Sequence, residues 1–388
     1  MTNAAPLTDA QPRRETPPSA PASPDLRPAN RGLDDQAWQR LLVRIKDGEC
    51  TPVIGSGACT ASPVGYDAHR WKSDVPYPRK EQLAQDWATK CEYPLDTSHA
   101  LKTRLAWLRK NIALLLESPT LSANDRIAVV RILDQTEMVQ LSPVTDDAQK
   151  LERVAQFLAI DEDGFANPMF VKDEFAALYR NLSPPRFDEI LNEPHRILAR
   201  LPFHVYLTSN FDDWMEQALR QANKEPKVAV CPWNKYIKDV PTVDPETDYN
   251  AWRPLVYHFH GRTPHAESAV VTEDDYFEFL VNIARDNKLL AHRVDRAIGG
   301  GSLLFLGYTL SDWHFLVLFR LLANNLRESP RNHVAVQLAP SDGDDSTRHQ
   351  RAVKYLSSYF RHLNVKVYWG TCQEFCHELR ERWISFSK

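Results

Sequence analysis

Three short segments of this 388-residue chain bring together residue types that do chemistry. They are Val53-Ile54-Gly55-Ser56-Gly57-Ala58, then Thr208-Ser209-Asn210-Phe211-Asp212, then His258-Phe259-His260-Gly261. Gly55 and Gly57 would let the backbone approach a pyrophosphate and aim N–H groups at it, and Ser56 and Ala58 add no obstructing bulk. An asparagine and an aspartate suit hydrogen bonds to ribose and to a carboxamide. A histidine titrating near neutrality can accept a proton from water or from a sugar hydroxyl. Together the set suggests a site for NAD. Each piece also has a plainer use: the glycine turn as a strand exit, Asn210 or Asp212 as a helix cap, a strand histidine as a hydrogen-bonded core residue.

Each segment follows an apolar run that reads as a buried strand, which is where a doubly wound sheet places its ligand, beyond the carboxyl ends of its strands. The expected strands are Thr51 to Ile54, Phe203 to Leu207, Val228 to Cys231, Leu255 to His260, Ser302 to Leu306, His333 to Leu338 and Val365 to Trp369. Helical stretches fall between several of them: Asp213 to Ala222, Asp275 to Ala284, Trp313 to Leu326, Arg348 to Tyr359 and Gln373 to Trp383. This alternation predicts an α/β fold with a Rossmann-like, doubly wound and mainly parallel sheet. His258 and His260 alternate along their strand and share one face, with Tyr257 and Phe259 on the other. Trp214 and Trp313 read as core.

Residues 1–33 are rich in Pro, Ala, Ser and Thr and carry too little apolar surface to offset the entropy of ordering, so a disordered tail is expected there. A helix follows, capped by Asp34 or Asp35, with Trp38, Leu41, Leu42 and Ile45 on one face. The remaining span, 34–388, reads as one domain. From about 81 to 198 the pattern is helical and nearly free of strand signals. Leu105, Leu108, Ile112 and Leu115 form one stripe, Ile127 to Leu133 a second, and Leu151, Val154, Ala155 and Leu158 a third. This all-helical insertion is expected to cover the carboxyl end of the sheet and wall one side of the cleft.

The formal net charge is −4 with a pI near 6.4, which argues against a direct nucleic-acid partner, because phosphate contacts demand clustered Lys and Arg. No apolar run approaches the roughly 18 to 20 residues that span a bilayer, and the N-terminus lacks the apolar core of a signal peptide, so a cytoplasmic protein is expected. The six cysteines form no CxxC pair. No zinc ribbon or other metal site is therefore expected, and Cys372 and Cys376, one helical turn apart, read as packing residues.

Further segments extend the pattern: Glu193-Pro194-His195-Arg196-Ile197-Leu198 leading into Leu201-Pro202-Phe203, then Val271-Thr272-Glu273-Asp274-Asp275-Tyr276, then Leu306-Gly307-Tyr308-Thr309-Leu310-Ser311-Asp312. In order and spacing the chain resembles the sirtuin-like family, and specifically its bacterial branch of NAD-consuming defence proteins. The resemblance implies that Asn210 contacts the nicotinamide ribose and the attacking water, that Asp212 receives the carboxamide, and that His260, ahead of Gly261, is the catalytic histidine. Gly55, Ser56, Gly57, Ala58, Thr208, Ser209 and Gly261 would line the ligand, with Gly307 and Thr309 on its adenosine half. His258 reads as structural or supporting, and Thr272 with the Glu273-Asp274-Asp275 cluster as a helix cap.

The implied activity is NAD glycohydrolysis to nicotinamide and ADP-ribose, with NAD as substrate and no metal, in the effector of an antiphage system. Control would then come from assembly: a homo-oligomer, and by family analogy a HerA-type hexameric ATPase or an Argonaute-like partner. Two other readings stand beside it, an NAD-binding scaffold and a protein deacylase. The missing zinc cysteines weigh against the deacylase.

Overall fold

The computed structural model describes residues 31–59, 80–91, 93, 150–160, 167–182, 184–185, 187, 192–285, 289–308, 333–338 and 346–388. Its centre is a seven-stranded sheet of β1 (Cys50–Ile54), β2 (Val205–Thr208), β3 (Lys227–Val230), β4 (Leu255–His258), β5 (Ser302–Leu306), β6 (His333–Gln337) and β7 (Val365–Trp369). The order is β3-β4-β2-β1-β5-β6-β7, and every neighbouring pair is parallel. A parallel sheet needs helical cover on both faces, which explains why these strands are apolar runs and not polar–apolar alternations.

Side chains along the strands divide between two cores with period two. Tyr206, Val256 and Leu304 pack with Trp38, Trp214 and Phe375 on one face. Leu207, Leu255, Tyr257 and Phe305 pack with Trp233, Phe279, Val294 and Phe360 on the other. The first face is covered by α1 (Asp35–Lys46), which Asp34 caps by accepting the Ala37 N–H at 2.6 Å, and which buries Trp38, Leu41, Leu42 and Ile45 as expected. Residues 31–33 lie along β7, where the Trp369 N–H donates to the Arg31 carbonyl at 2.9 Å and Leu33 is buried. Residues 1–30 of the expected tail lie outside the described residues.

Three helices of the insertion, α2 (Lys80–Lys90), α3 (Leu151–Ala159) and α4 (Pro168–Arg180), form a third core from Leu83, Trp87, Val154, Ala155, Val171 and Phe175. That core also takes in Phe211, Ala269 and Val271 from loops beyond β2 and β4, so the helices sit over the carboxyl end of the sheet. The stripes at 105–115 and 127–133, and the helix expected at 313–326, lie outside the described residues. Then α5 (Pro194–Ala199) leads into β2, α6 (Trp214–Gln221) follows it, and α7 (Glu273–Arg285) follows β4. The next helix, α8 (His292–Gly300), escapes sequence reading because only Val294 and Ile298 mark its buried face and two glycines end it. Finally α9 (Ser346–Arg361) and α10 (Cys372–Phe386) flank β7. Cys376 is packed in the core, as expected of it.

Candidate active site

The carboxyl ends of β1, β2 and β4 open on one cleft. From the sheet side it is lined by Ser56, Ser209, Asn210, Phe211, His260, Val270, Val271 and Tyr276. From the insertion come Lys80, Leu151, Glu152, Phe175 and Tyr179. The helices thus wall one side of the cleft, and the chain's reversal around β1, flanked by β2 and β5, puts the opening at a topological switch point.

The glycine turn packs tightly against a second loop. Its N–H groups are largely spent inside the fold: Gly55 donates to Leu306 O at 2.8 Å, Gly57 to Gly307 O at 2.9 Å and Ala58 to Gly55 O at 3.0 Å. The close approach that glycine permits here is between two loops. A Cβ on Gly57 would stand 2.8 Å from the Gly307 carbonyl oxygen, and one on Gly307, whose φ is +77°, would stand 2.1 Å from Ala58 N. Within this segment Ser56 alone faces the cleft. Gly307→Ala should therefore cost about 1–3 kcal/mol from backbone strain alone. A thermal melt unchanged from wild type would show that the turn is not packed this way.

The second segment splits into a scaffold and a site. Thr208 Oγ1 donates to Ile54 O at 3.1 Å and accepts the Asn210 N–H at 2.9 Å, which ties β2 to β1 below the cleft. Ser209 faces the cleft and accepts the Tyr308 hydroxyl at 3.0 Å. Burial pushes that phenol up to about 12, so it stays neutral, its single O–H lying within reach of both Ser209 Oγ and Ile54 O. Asp212 is buried, its Oδ1 accepting the Trp214 N–H at the start of α6 at 3.0 Å, and it is not among the lining side chains. Asn210 is 5% exposed; its Nδ2 donates to Cys59 Sγ at 3.0 Å, and its Oδ1 has no hydrogen-bond partner.

The third segment is held from beneath. His258 is 1% exposed, with Nδ1 3.1 Å from Asn210 O and Nε2 3.0 Å from Glu216 Oε1 on α6. Both ring nitrogens lie against oxygens, so the ring is held at both ends. The same Glu216 accepts from Arg262 Nε at 2.8 Å and Nη2 at 2.7 Å. Burial alone would push this carboxyl up, but the His258 and Arg262 hydrogen bonds and charges outweigh it and hold it at about 2. One buried carboxylate thus fastens both the Asn210 loop and the turn that follows His260. Gly261 makes that turn with φ +91°, where a Cβ would meet Ser268 O at 2.3 Å. The strand ends at His258, and His260 beyond it projects into the cleft with its ring 5.4 Å from Tyr276 and 4.9 Å from Phe279, both edge-on.

The fold therefore brings Ser56, Ser209, Asn210 and His260 to one cavity. Gly55, Gly57, Ala58, Thr208, Asp212, Gly261 and Gly307 support it from behind, and Thr309 lies outside the described residues. The Thr272–Asp275 cluster is a cap, as read: Asp275 Oδ2 accepts the Val271 and Thr272 N–H groups at 3.1 Å, and Lys172 pairs with Oδ1 at 2.8 Å. Lys80, Glu152 and Tyr179 were missed, since nothing in their helical setting distinguishes them from surface positions. Among the described residues no group of three or more His, Cys, Asp or Glu is placed to hold a metal ion, and no helix is long and apolar enough to cross a membrane.

A parallel sheet covered on both faces, with polar loop residues gathered at its switch point, defines a Rossmann-like α/β protein. Residues 204–367 match the family described as the SIR2-like domain. The match begins at β2. β1 and its glycine turn precede it and complete the sheet between β2 and β5. The chain is 30% identical over 146 residues to an "NAD(+) hydrolase ThsA" of Enterococcus faecium, covering 38% of this chain and 28% of the relative. It is 32% identical over 149 residues to the protein of that name in Bacillus cereus (strain MSX-D12), with the same coverage of each. It is 29% identical over 143 residues to one in Cytobacillus dafuensis, covering 37% and 26%. The chain thus spans little more than a quarter of the length of the curated relatives it matches.

Proposed function

We propose that the protein is an NAD glycohydrolase, cleaving NAD to nicotinamide and ADP-ribose. The observation that carries this reading is the convergence of Asn210 and His260 on one cleft, with an unpartnered, buried Asn210 Oδ1 beside it. A buried carbonyl oxygen without a partner costs free energy, and a bound hydroxyl or water would satisfy it. Relatives named as NAD hydrolases agree with that chemistry.

Cleavage of the bond between ribose and nicotinamide develops oxocarbenium character at the ribose carbon. Asn210 Oδ1 holds the attacking water or a ribose hydroxyl, and His260 accepts its proton as attack proceeds. Nicotinamide leaves neutral from a cationic pyridinium, so the leaving group needs no general acid. Ser56 and Ser209 offer hydroxyls to the remainder of the dinucleotide. The cellular role we infer is that of an effector in antiphage defence, working as a homo-oligomer or under a HerA-type or Argonaute-like partner, because an enzyme that destroys NAD requires control.

The test is to incubate the purified protein with NAD, alone and with co-purifying partners, and to quantify both products. Nicotinamide and ADP-ribose are expected in equal amounts. Bound NAD recovered intact under every condition would leave a scaffold in place of an enzyme.

A further inference from the structure

We propose that Cys59, held by the buried His195–Glu193 pair, is a positioning residue that sets which way the Asn210 carboxamide points and so leaves its oxygen facing the ligand. The inference rests on the NAD glycohydrolase reading for its catalytic meaning, and on geometry for the rest. Cys59 closes the glycine turn after β1 and is fully buried, as are His195 on α5 and Glu193 just before it.

The hydrogen bonds can be followed from one end. Glu193 caps α5, its Oε2 accepting the Arg196 N–H at 2.7 Å, and its Oε1 lies 2.8 Å from His195 Nδ1. A carboxylate only accepts, so Nδ1 carries a hydrogen. His195 Nε2 then presents a lone pair 3.7 Å from Cys59 Sγ, and the thiol donates to it. Asp212 Oδ2 is a more distant acceptor, at 3.9 Å. With its proton engaged, sulfur presents lone pairs to Asn210 Nδ2 at 3.0 Å. The amide is thereby held with its nitrogen on sulfur, and its oxygen is left without a protein partner.

That orientation matters chemically. An outward Oδ1 can accept a hydrogen bond from a water or hydroxyl and raise its nucleophilic character, whereas an outward NH₂ can only donate. Asn210 Oδ1 is the member of this chain without a partner, and Asn210 lines the cleft. A polar chain from Glu193 to Asn210 thus ends at the site where attack would occur.

The experiment uses the full chain as Cys59→Ala, Cys59→Val, which fills the space but cannot accept, and Cys59→Ser, which can. In wild type and Cys59→Ser the Asn210 side-chain amide protons should exchange slowly with solvent by NMR, and in Cys59→Ala or Cys59→Val quickly. Loss of the acceptor should lower kcat about 10- to 100-fold with KM little changed, and serine should restore most of it. If alanine fails to fold, valine supplies the comparison. Slow exchange and full kcat in both Cys59→Ala and Cys59→Val would overturn the proposal. If wild type leaves NAD intact, the enzymatic reading falls, and the amide exchange still decides whether Cys59 orients Asn210.

Discussion

Replacing His260 or Asn210 with alanine should each lower nicotinamide release by at least about 10²-fold, the scale of a positioned proton-transfer group. Neither change should move the thermal melt by more than a few degrees. The ring of His260 stands partly exposed at the cleft, touching Tyr276 and Phe279 edge-on. Asn210 makes one side-chain hydrogen bond, to Cys59, and removing the carboxamide also removes a buried oxygen that has no partner. Truncation there deletes an unsatisfied group along with a satisfied one, so the two costs offset.

Combined, the two substitutions should lose less than the product of their separate effects, as expected when two residues serve one transition state. His258→Ala provides the contrast. That ring bridges Asn210 O and Glu216 in the core, so its loss should cost more stability and less specific activity. The measurement is initial-rate nicotinamide release by each variant beside its melting curve. A folded His260→Ala protein that cleaves NAD near the wild-type rate would remove the histidine from the mechanism.

Sequence reading recovers the parallel sheet because strands buried on both faces are short apolar runs, and β5 and β7 agree with it to the residue. It recovers the floor of the cleft for a related reason: in such a sheet the residue after a strand falls at the carboxyl edge, so Ser56, Asn210 and His260 meet although they are far apart in the chain. What escapes it is interaction across the fold. Cys59 and His195 are separated by 136 positions and Glu216 and His258 by 42, and no local pattern pairs them. Glu216 reads as one more charge on an amphipathic helix, and Cys59 as one of several isolated cysteines. The glycine turn was legible as a close approach, but its partner, the Gly307 carbonyl, lies beyond β5 and emerges only when the strands are paired.

Glu216 should prove the most sensitive position for stability. Its side chain is wholly buried between His258 and Arg262, and removing the carboxylate leaves the Arg262 guanidinium without its counter-charge and His258 without its partner. Glu216→Ala should therefore cost about 3–5 kcal/mol. The pH dependence follows with a definite sign. Folding lowers this carboxyl from its ordinary 4.5 to about 2, so the unfolded chain binds the proton more readily than the folded one. The stabilisation is fully present above the unfolded value and is lost as pH falls from there through about 2. Wild-type melting temperature should fall steeply across that acid window. In Glu216→Gln, which keeps the shape but has no carboxyl to titrate, the slope should be shallower and the neutral-pH melt lower. Parallel curves for the two proteins would mean that Glu216 is not the anion holding the Asn210 and His260 loops, and that the two loops are fastened by their packing alone.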